Sequence, residues 1–430
     1  MSTPTRIVIT GAGAVCGLGL TVDAIFAALR GGESAVGPIT QWDPARWPVQ
    51  IAAEVKGVDN RVLVSDRKLH KLVSRTDLFG LYAADSAISQ SGLTGYRQTL
   101  EPAAAVRFNE RSGVFVGSGG GVYRSNYEFF PLLSEAGGSL NRFGSALEAL
   151  VNPMWLLRNL PNNVLCHVGI RHHFKGTNAC VTNQCVGGVL AVAEAAAALH
   201  YGEADRVVAV AHDAPLEPET VLHYHQLGLL SADALRPFDA QRSGTVFGEG
   251  AAAVVLEPVE QAQARGATVL GQFLGSGCVT EATGVLDVCP DGEGLVRAIQ
   301  QALDQAGLSP AAVGMVVAHG NGTRNSDASE AAAIKHVFGF EPPPVTAFKW
   351  GVGHLIAASG VLDLVLALTA LRERIVPGIG TLKQVDPALL PFPVSPQPES
   401  PRSDVALICS RGFGGMNVAV VVRAPEPLDR

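Results

Sequence analysis

Three residues of reactive type sit beside glycines in this 430-residue sequence: Cys185 in NQCVGG, His319 in VVAHGNGT and His354 in FKWGVGHLIAASG. Lys349 lies between the two histidines. A thiolate can take an acyl group, and an uncharged imidazole N–H can polarise a carbonyl or hold a developing enolate. One thiol with two imidazoles is the set that carbon–carbon condensation between thioesters needs. The thiol carries the first acyl group while a second thioester loses carbon dioxide, and the carbanion or enolate left behind is stabilised by the imidazoles. A histidine taken alone is more often solvated or held in a core, and His70, His200, His223, His225 and His336 read that way, with His172 and His173 on a surface loop. His319 and His354 differ because both stand at glycine-bounded strand-to-loop positions.

These residues must be positioned by the elements around them. Short β-branched runs (RIVIT, SGVFVGS, DRVVAVA, AAAVVLE, MVVAHG, DVALICS, NVAVVV) alternate with Ala/Leu-rich helical stretches (TVDAIFAALR, GVLAVAEAAAALHYG, GLVRAIQQALDQAG, SEAAAIKHVFG). Runs apolar on both faces indicate an α/β protein with buried sheets. GEGAAAVVLEP at 248–258 and GGMNVAVVVRAP at 414–425 echo each other as glycine turn, apolar strand and proline stop. They predict two similar halves, 1–257 carrying the nucleophile and 258–430 carrying the two histidines. Cys185 and His354 each precede a helical run, so each is expected at a helix N-terminus, where the helix dipole lowers a thiol pKa and keeps an imidazole neutral. The stretch from about 95 to 165, with an aromatic-rich segment at 122–130, is the least regular and reads as a cap or channel wall.

Composition narrows the classes. At roughly 100–200 residues per domain, this length predicts two or three domains or one large duplicated one. With 47% hydrophobic and 17% charged residues a large core is expected, and a net charge of −7 with scattered Lys and Arg argues against a nucleic-acid partner. The seven cysteines (Cys16, Cys166, Cys180, Cys185, Cys278, Cys289, Cys409) are odd in number and lack C-x-x-C spacing, which predicts mostly buried thiols in a reducing compartment. CVTNQC has no two further ligands at suitable spacing, so no metal is expected. The N-terminus reads as a first strand rather than a signal peptide, and no run of about 18 apolar residues predicts a membrane span, so a cytoplasmic protein is expected. GAGAVCG mimics a dinucleotide-binding turn, but its third glycine is one residue late at Gly17 and no acidic strand end follows, so it reads as a tight strand-to-helix connection. Asp327 with Glu330 could pair for glycoside hydrolysis, yet their closeness to His319 makes them better supports for it.

Across almost its whole length the sequence resembles the β-ketoacyl-acyl-carrier-protein synthases, the elongating ketosynthases of type II fatty acid and polyketide pathways. The resemblance is carried by RIVITGAGAVCGLGLTV, HYGEAD, RPFDAQRSGTVFGEGAAAVVLE, AHGNGTRNSDASE, KWGVGH and GFGGMN, and by ungapped spacing from His319 to Asp327, Glu330, Lys349 and His354. It implies a thiolase-like fold of two similar halves in α/β/α/β/α layers. It further implies that Cys185 takes the acyl chain from the phosphopantetheine of an acyl carrier protein, with no permanently bound cofactor. The backbone N–H groups of Cys185 and Phe413 would form an oxyanion hole, with Phe413 also the gate. His319 and His354 would serve decarboxylation, Lys349 and Glu330 would pair to orient them, and Thr323 would contact pantetheine. A dimer is implied, homodimeric or with a chain-length-factor-like relative, the strand before the nucleophile pairing across the two-fold axis.

The sequence also departs from the family pattern. Asn321 stands where Thr is usual and can still hydrogen-bond pantetheine. Arg411 replaces an aromatic two residues before Phe413, which could alter gate and selectivity, and the usual small hydroxyl residues beside the nucleophile are missing. Cys180 lies five residues before Cys185, but the nucleophile is expected about 20 residues before Asp205, which selects Cys185 and leaves Cys180 as a buried strand thiol. A slip of one residue would put Gln184 in the nucleophile position, as in non-catalytic chain-length factors. These departures favour a specialised polyketide, polyene or related pathway, with housekeeping fatty acid elongation or a non-catalytic subunit as alternatives.

Overall fold

The β-branched runs form one mixed ten-stranded sheet in a computed structural model that describes residues 5–119, 129–339 and 341–425. Its strands are β1 (Ile7–Cys16), β2 (Ser112–Ser118), β3 (Asn178–Val181), β4 (Arg206–Asp213) and β5 (Gly250–Pro258), then β6 (Gly271–Thr280), β7 (Met315–Val317), β8 (Val345–Thr346), β9 (Val405–Gly412) and β10 (Met416–Arg423). Their order is β8-β7-β9-β10-β6-β1-β5-β4-β2-β3. Read outward from the β1–β6 junction, β1-β5-β4-β2-β3 is repeated as β6-β10-β9-β7-β8. In each set the two inner pairings are antiparallel and the two outer ones parallel. Among the described residues the two sets pair through Ile7–Ile9 against Gly271–Phe273.

Helices complete the layers. α1 (Arg75–Gln90) covers one outer face, against β1 and β5, while α3 (Glu293–Ala306) covers the other, against β6 and β10, with α4 (Arg324–Phe338) beside it. Between the two sets lie α2 (Gly187–His200) and α5 (Ser359–Glu373). Every residue of α5 from Ser359 to Leu371 is buried, as expected of a helix apolar all round and covered on both sides. The result is a thiolase-like α/β/α/β/α fold.

GAGAVCG is not a turn. Gly11 and Gly13 lie inside β1, and a Cβ on them would come within 2.1 Å of the Ala87 carbonyl oxygen and 2.2 Å of that of Ala83. Their bare Cα atoms let α1 approach the sheet. Gly275 and Gly277 of β6 do the same for α3, where a Cβ would meet the Ala302 and Ala298 carbonyls at 2.6 and 2.1 Å. The thiols also differ from expectation: Cys16, Cys185 and Cys409 are buried, Cys166 and Cys278 are exposed, and Cys180 is half-buried on the edge strand β3. Residues 120–128, most of the aromatic-rich stretch, lie outside the described residues. Among the described residues no helix is long and apolar enough to cross a membrane.

Candidate active site

Cys185 stands in the middle of a 3-10 turn, Gln184–Val186, that runs straight into α2, and the matching turn Ile356–Ala358 runs into α5. Gln184 and Ile356, which open the two turns, have φ of +42° and +44°, the left-handed region that non-glycine residues avoid. The turns abut: a Cβ on Gly188 would come within 2.3 Å of the Ala357 carbonyl oxygen. Cys185 is thereby pressed into an apolar cluster with Ile356, Phe247, Leu216 and Val221.

His319 follows the end of β7 and is held by its backbone. Glu330 of α4 accepts the N–H of His319 at 2.7 Å and that of Gly320 at 2.9 Å. The Nδ1 of His319 accepts the backbone N–H of Arg411 at 3.3 Å, which leaves the ring proton on Nε2. His354 donates its own N–H to the Val246 carbonyl at 2.7 Å. Its Nδ1 accepts from Ile356 N at 3.2 Å and lies 3.0 Å from Ser359 Oγ, which itself accepts the Leu355 N–H. That arrangement again places the proton on Nε2. The two rings are 5.3 Å apart, edge to face. Burial first, and the charge of Lys349 second, hold both imidazoles well below their usual pKa, so both are neutral donors near pH 7.

Two expectations need correction. Lys349 does not pair with Glu330. Its Nζ donates to Asp363 of α5 at 2.8 Å, and both side chains are almost fully buried. Asp363 was missed, although a lone carboxylate inside the apolar run SGVLDLVLALTALRE was its signal. The Cys185 thiol pKa is not lowered as expected at a helix N-terminus but raised. Burial pushes the thiol up to about 12, with Lys349 pulling the other way.

One cavity of about 380 Å³ gathers Cys185, His319, His354 and Phe413, with Asn321, Thr323 and Arg411 on its wall. Lys349, Glu330 and Asp327 are buried behind that wall. Asp327 accepts from Phe238 N at 2.8 Å and Gly322 N at 3.1 Å, and burial raises its carboxyl to about 7. Asn321 Oδ1 accepts from Thr323 N and Oγ1, fixing the loop before α4. Phe413 lies in the β9–β10 hairpin, its ring 5.5 Å from that of Tyr224. Ser410 of β9 donates to the Cys185 carbonyl at 3.3 Å, tying this hairpin to the nucleophile turn. The Arg411 side chain points away from the hairpin tip, bonded to Asn417, Glu281, Ser329 and the Ser326 carbonyl. Of the irregular stretch 95–165, no described residue lines this cavity. His172 pairs with Asp85 elsewhere.

The family described as "Beta-ketoacyl synthase, N-terminal domain" matches residues 4–262, and "Beta-ketoacyl synthase, C-terminal domain" matches 270–383. Among similar proteins, the 3-oxoacyl-[acyl-carrier-protein] synthase 2 of Coxiella burnetii is 31% identical over 97% of this chain and 98% of its own. A putative polyketide beta-ketoacyl synthase 1 of Streptomyces cyaneus is 33% identical over 98% of each chain. Among solved structures, the ishigamide ketosynthase/chain length factor superposes with a TM-score of 0.87 at 26% identity, covering 99% of this chain and 100% of that one.

Proposed function

The chain belongs to the β-ketoacyl synthase family and is a condensing acyltransferase, and from that premise we propose that Cys185, His319 and His354 carry its chemistry. Cys185 attacks the thioester of an acyl chain delivered on the phosphopantetheine of an acyl carrier protein. The pantetheine thiol leaves and the acyl group stays on Sγ. Backbone N–H groups of Cys185 and Phe413 hold the oxyanion. A malonyl thioester then enters and loses carbon dioxide, its enolate oxygen held by the Nε2–H groups of His319 and His354. The enolate carbon attacks the Cys185 thioester, expelling the thiolate and forming the β-ketoacyl product. The observation that carries this reading is two imidazoles, each with Nδ1 occupied as an acceptor, lining one cavity with the thiol.

Lys349, paired with Asp363, supplies the fixed positive charge that favours neutral rings and thiolate, and Glu330 holds the His319 backbone. Asp327 supports the same loop, while Asn321 and Thr323 meet the pantetheine arm. Phe413 gates the cavity, and Arg411 braces the strand beside it. No resident cofactor is needed. The halves divide at 257/258, close to the end of the first family match at residue 262. A polyketide or related pathway is the reading favoured over fatty acid elongation, with a cytoplasmic location and a second copy or a chain-length-factor-like relative as partner. The named resemblances to a polyketide synthase and to a ketosynthase/chain length factor support it.

The test is intact mass after incubation with acyl-carrier-protein thioesters, alone and with a ketosynthase-like partner. An acyl adduct on wild type that is absent from Cys185→Ala is expected. No adduct in any pairing, with Cys185 inert to iodoacetamide, would instead mark a non-catalytic subunit.

A further inference from the structure

The β9–β10 hairpin is anchored at its base by a buried ion pair. Arg411 and Asn417 face each other one rung below its end, and Arg411 Nε donates to Asn417 Oδ1 at 2.8 Å. Both side chains then donate to one carboxylate oxygen: Glu281 Oε1 accepts from Arg411 Nη2 and from Asn417 Nδ2, each at 2.9 Å. Glu281, directly after β6, has a fully buried side chain, and its second oxygen accepts the Cys289 N–H at 2.8 Å. The hairpin tip rests on the same segment. Glu281 N donates to the Gly415 carbonyl at 2.9 Å, and Gly414 N to that of Val285 at 2.7 Å. On its other side the Arg411 guanidinium donates to the Ser326 carbonyl at 3.0 Å and to Ser329 Oγ at 3.1 Å, both in α4. Phe413 occupies the turn that these bonds hold, and the Arg411 N–H meets His319 Nδ1.

We propose that Glu281 and Arg411 are positioning residues for the condensation, their ion pair fixing the hairpin so that the Phe413 N–H stays aimed at the acyl group on Cys185 and the Arg411 N–H stays on His319. The inference rests on Cys185 being the nucleophile and Phe413 N–H an oxyanion donor. Both residues act through the backbone of the hairpin. The turn itself has little stiffness, since Gly414 and Gly415, with φ of +76° and +69°, follow Phe413. An oxyanion donor works only when held in place before the charge develops. A buried carboxylate that receives a guanidinium and two further N–H groups is such a fixed point, because charge-assisted bonds are short, strong and directional in a medium of low polarity. An aromatic side chain at position 411 supplies none of these bonds, so the anchor comes with the arginine that replaces it.

The test uses the double variant Arg411→Met/Glu281→Gln, which removes the pair without leaving either charge buried alone. Two reactions of the same thiol are compared by intact mass. Acylation by an acyl-carrier-protein thioester passes through an oxyanion, whereas alkylation by iodoacetamide is a direct displacement that needs no oxyanion donor. We expect acylation at least about tenfold slower than in wild type, with alkylation unchanged. Should the double variant not be recovered folded, Glu281→Asp, which keeps the charge and shortens its reach, is expected to show the same split. Acylation at the wild-type rate, or both reactions slowed alike, would overturn the proposal while leaving the nucleophile standing. Wild-type protein that forms no acyl adduct would overturn the assignment of Cys185, and this inference with it.

Discussion

At the scale of single residues, the site depends on charges that burial would otherwise forbid. Lys349 is a buried ammonium, tolerable because Asp363 lies 2.8 Å away. Removing one partner of such a pair leaves the other uncompensated in a medium of low polarity. Asp363→Asn is therefore expected to lower unfolding free energy by about 3–5 kcal/mol, read from urea denaturation, with a far smaller loss in Lys349→Met/Asp363→Leu. The pH dependence follows from the same burial. An ordinary histidine would be about three-quarters protonated at about pH 6, but His319 and His354 are held well below that range and remain neutral. Carbon dioxide release from malonyl-carrier protein should stay level from about pH 8 down to about pH 6; a fall centred near the usual histidine value would contradict it. The Cys185 thiol is displaced the other way, to about 12. Its alkylation by iodoacetamide should climb roughly tenfold per pH unit through about pH 10, because only the thiolate reacts.

At the scale of elements, the nucleophile is placed by a contact between two helix starts. α2 begins where Gly187 and Gly188 press against Gly117 of β2 and against Ala357, and a side chain at Gly188 would collide with the Ala357 carbonyl oxygen at 2.3 Å. Gly188→Val should cost about 1–3 kcal/mol through overpacking and also slow acylation of Cys185, three residues away. Gly144→Ala, in helix Leu140–Leu150 with open space around its Cα, is the matched control and should leave thermal stability unchanged or slightly raised. A drop in acylation at both positions would show that the effect is not one of helix placement. The glycines of β1 and β6 act by the same principle on the outer faces, where they set how closely α1 and α3 approach.

At the scale of the whole molecule, the sheet ends at β3, which is paired only with β2 among the described strands. An edge of this kind presents unpaired backbone groups to another chain. Elsewhere in the same half, helical segments leave large apolar side chains in solvent, Leu140 at 76% and Leu156 at 62% exposed, and such residues, where they gather, mark contact surfaces. The expected assembly is a pair joined through β3, with a mass near twice the 44.8 kDa chain if the partner is a second copy. Ala179→Lys, which puts a charge on that edge, should yield monomer in light scattering. A dimer that survives it would place the interface elsewhere.

The family and the α/β alternation were legible in the chain itself, because strand and helix periodicity and ungapped spacing are local properties. Cys185, His319 and His354 could be singled out for the same reason, each marked by its adjoining glycines. What pairs with what was not legible. Lys349 meets Asp363 rather than Glu330, and Gly11 and Gly13 belong to a strand under a helix rather than to a turn. Arg411 is turned into a buried polar network that includes Glu281 and Asn417. In each case the deciding atoms lie far apart in sequence, and only packing brings them together. The thiol pKa was misjudged for a related reason: the helix dipole is a local term that the sequence announces, whereas desolvation depends on every element closing over Cys185. Tertiary structure decided the outcome because burial at Cys185 outweighs the attraction of the nearby Lys349 charge.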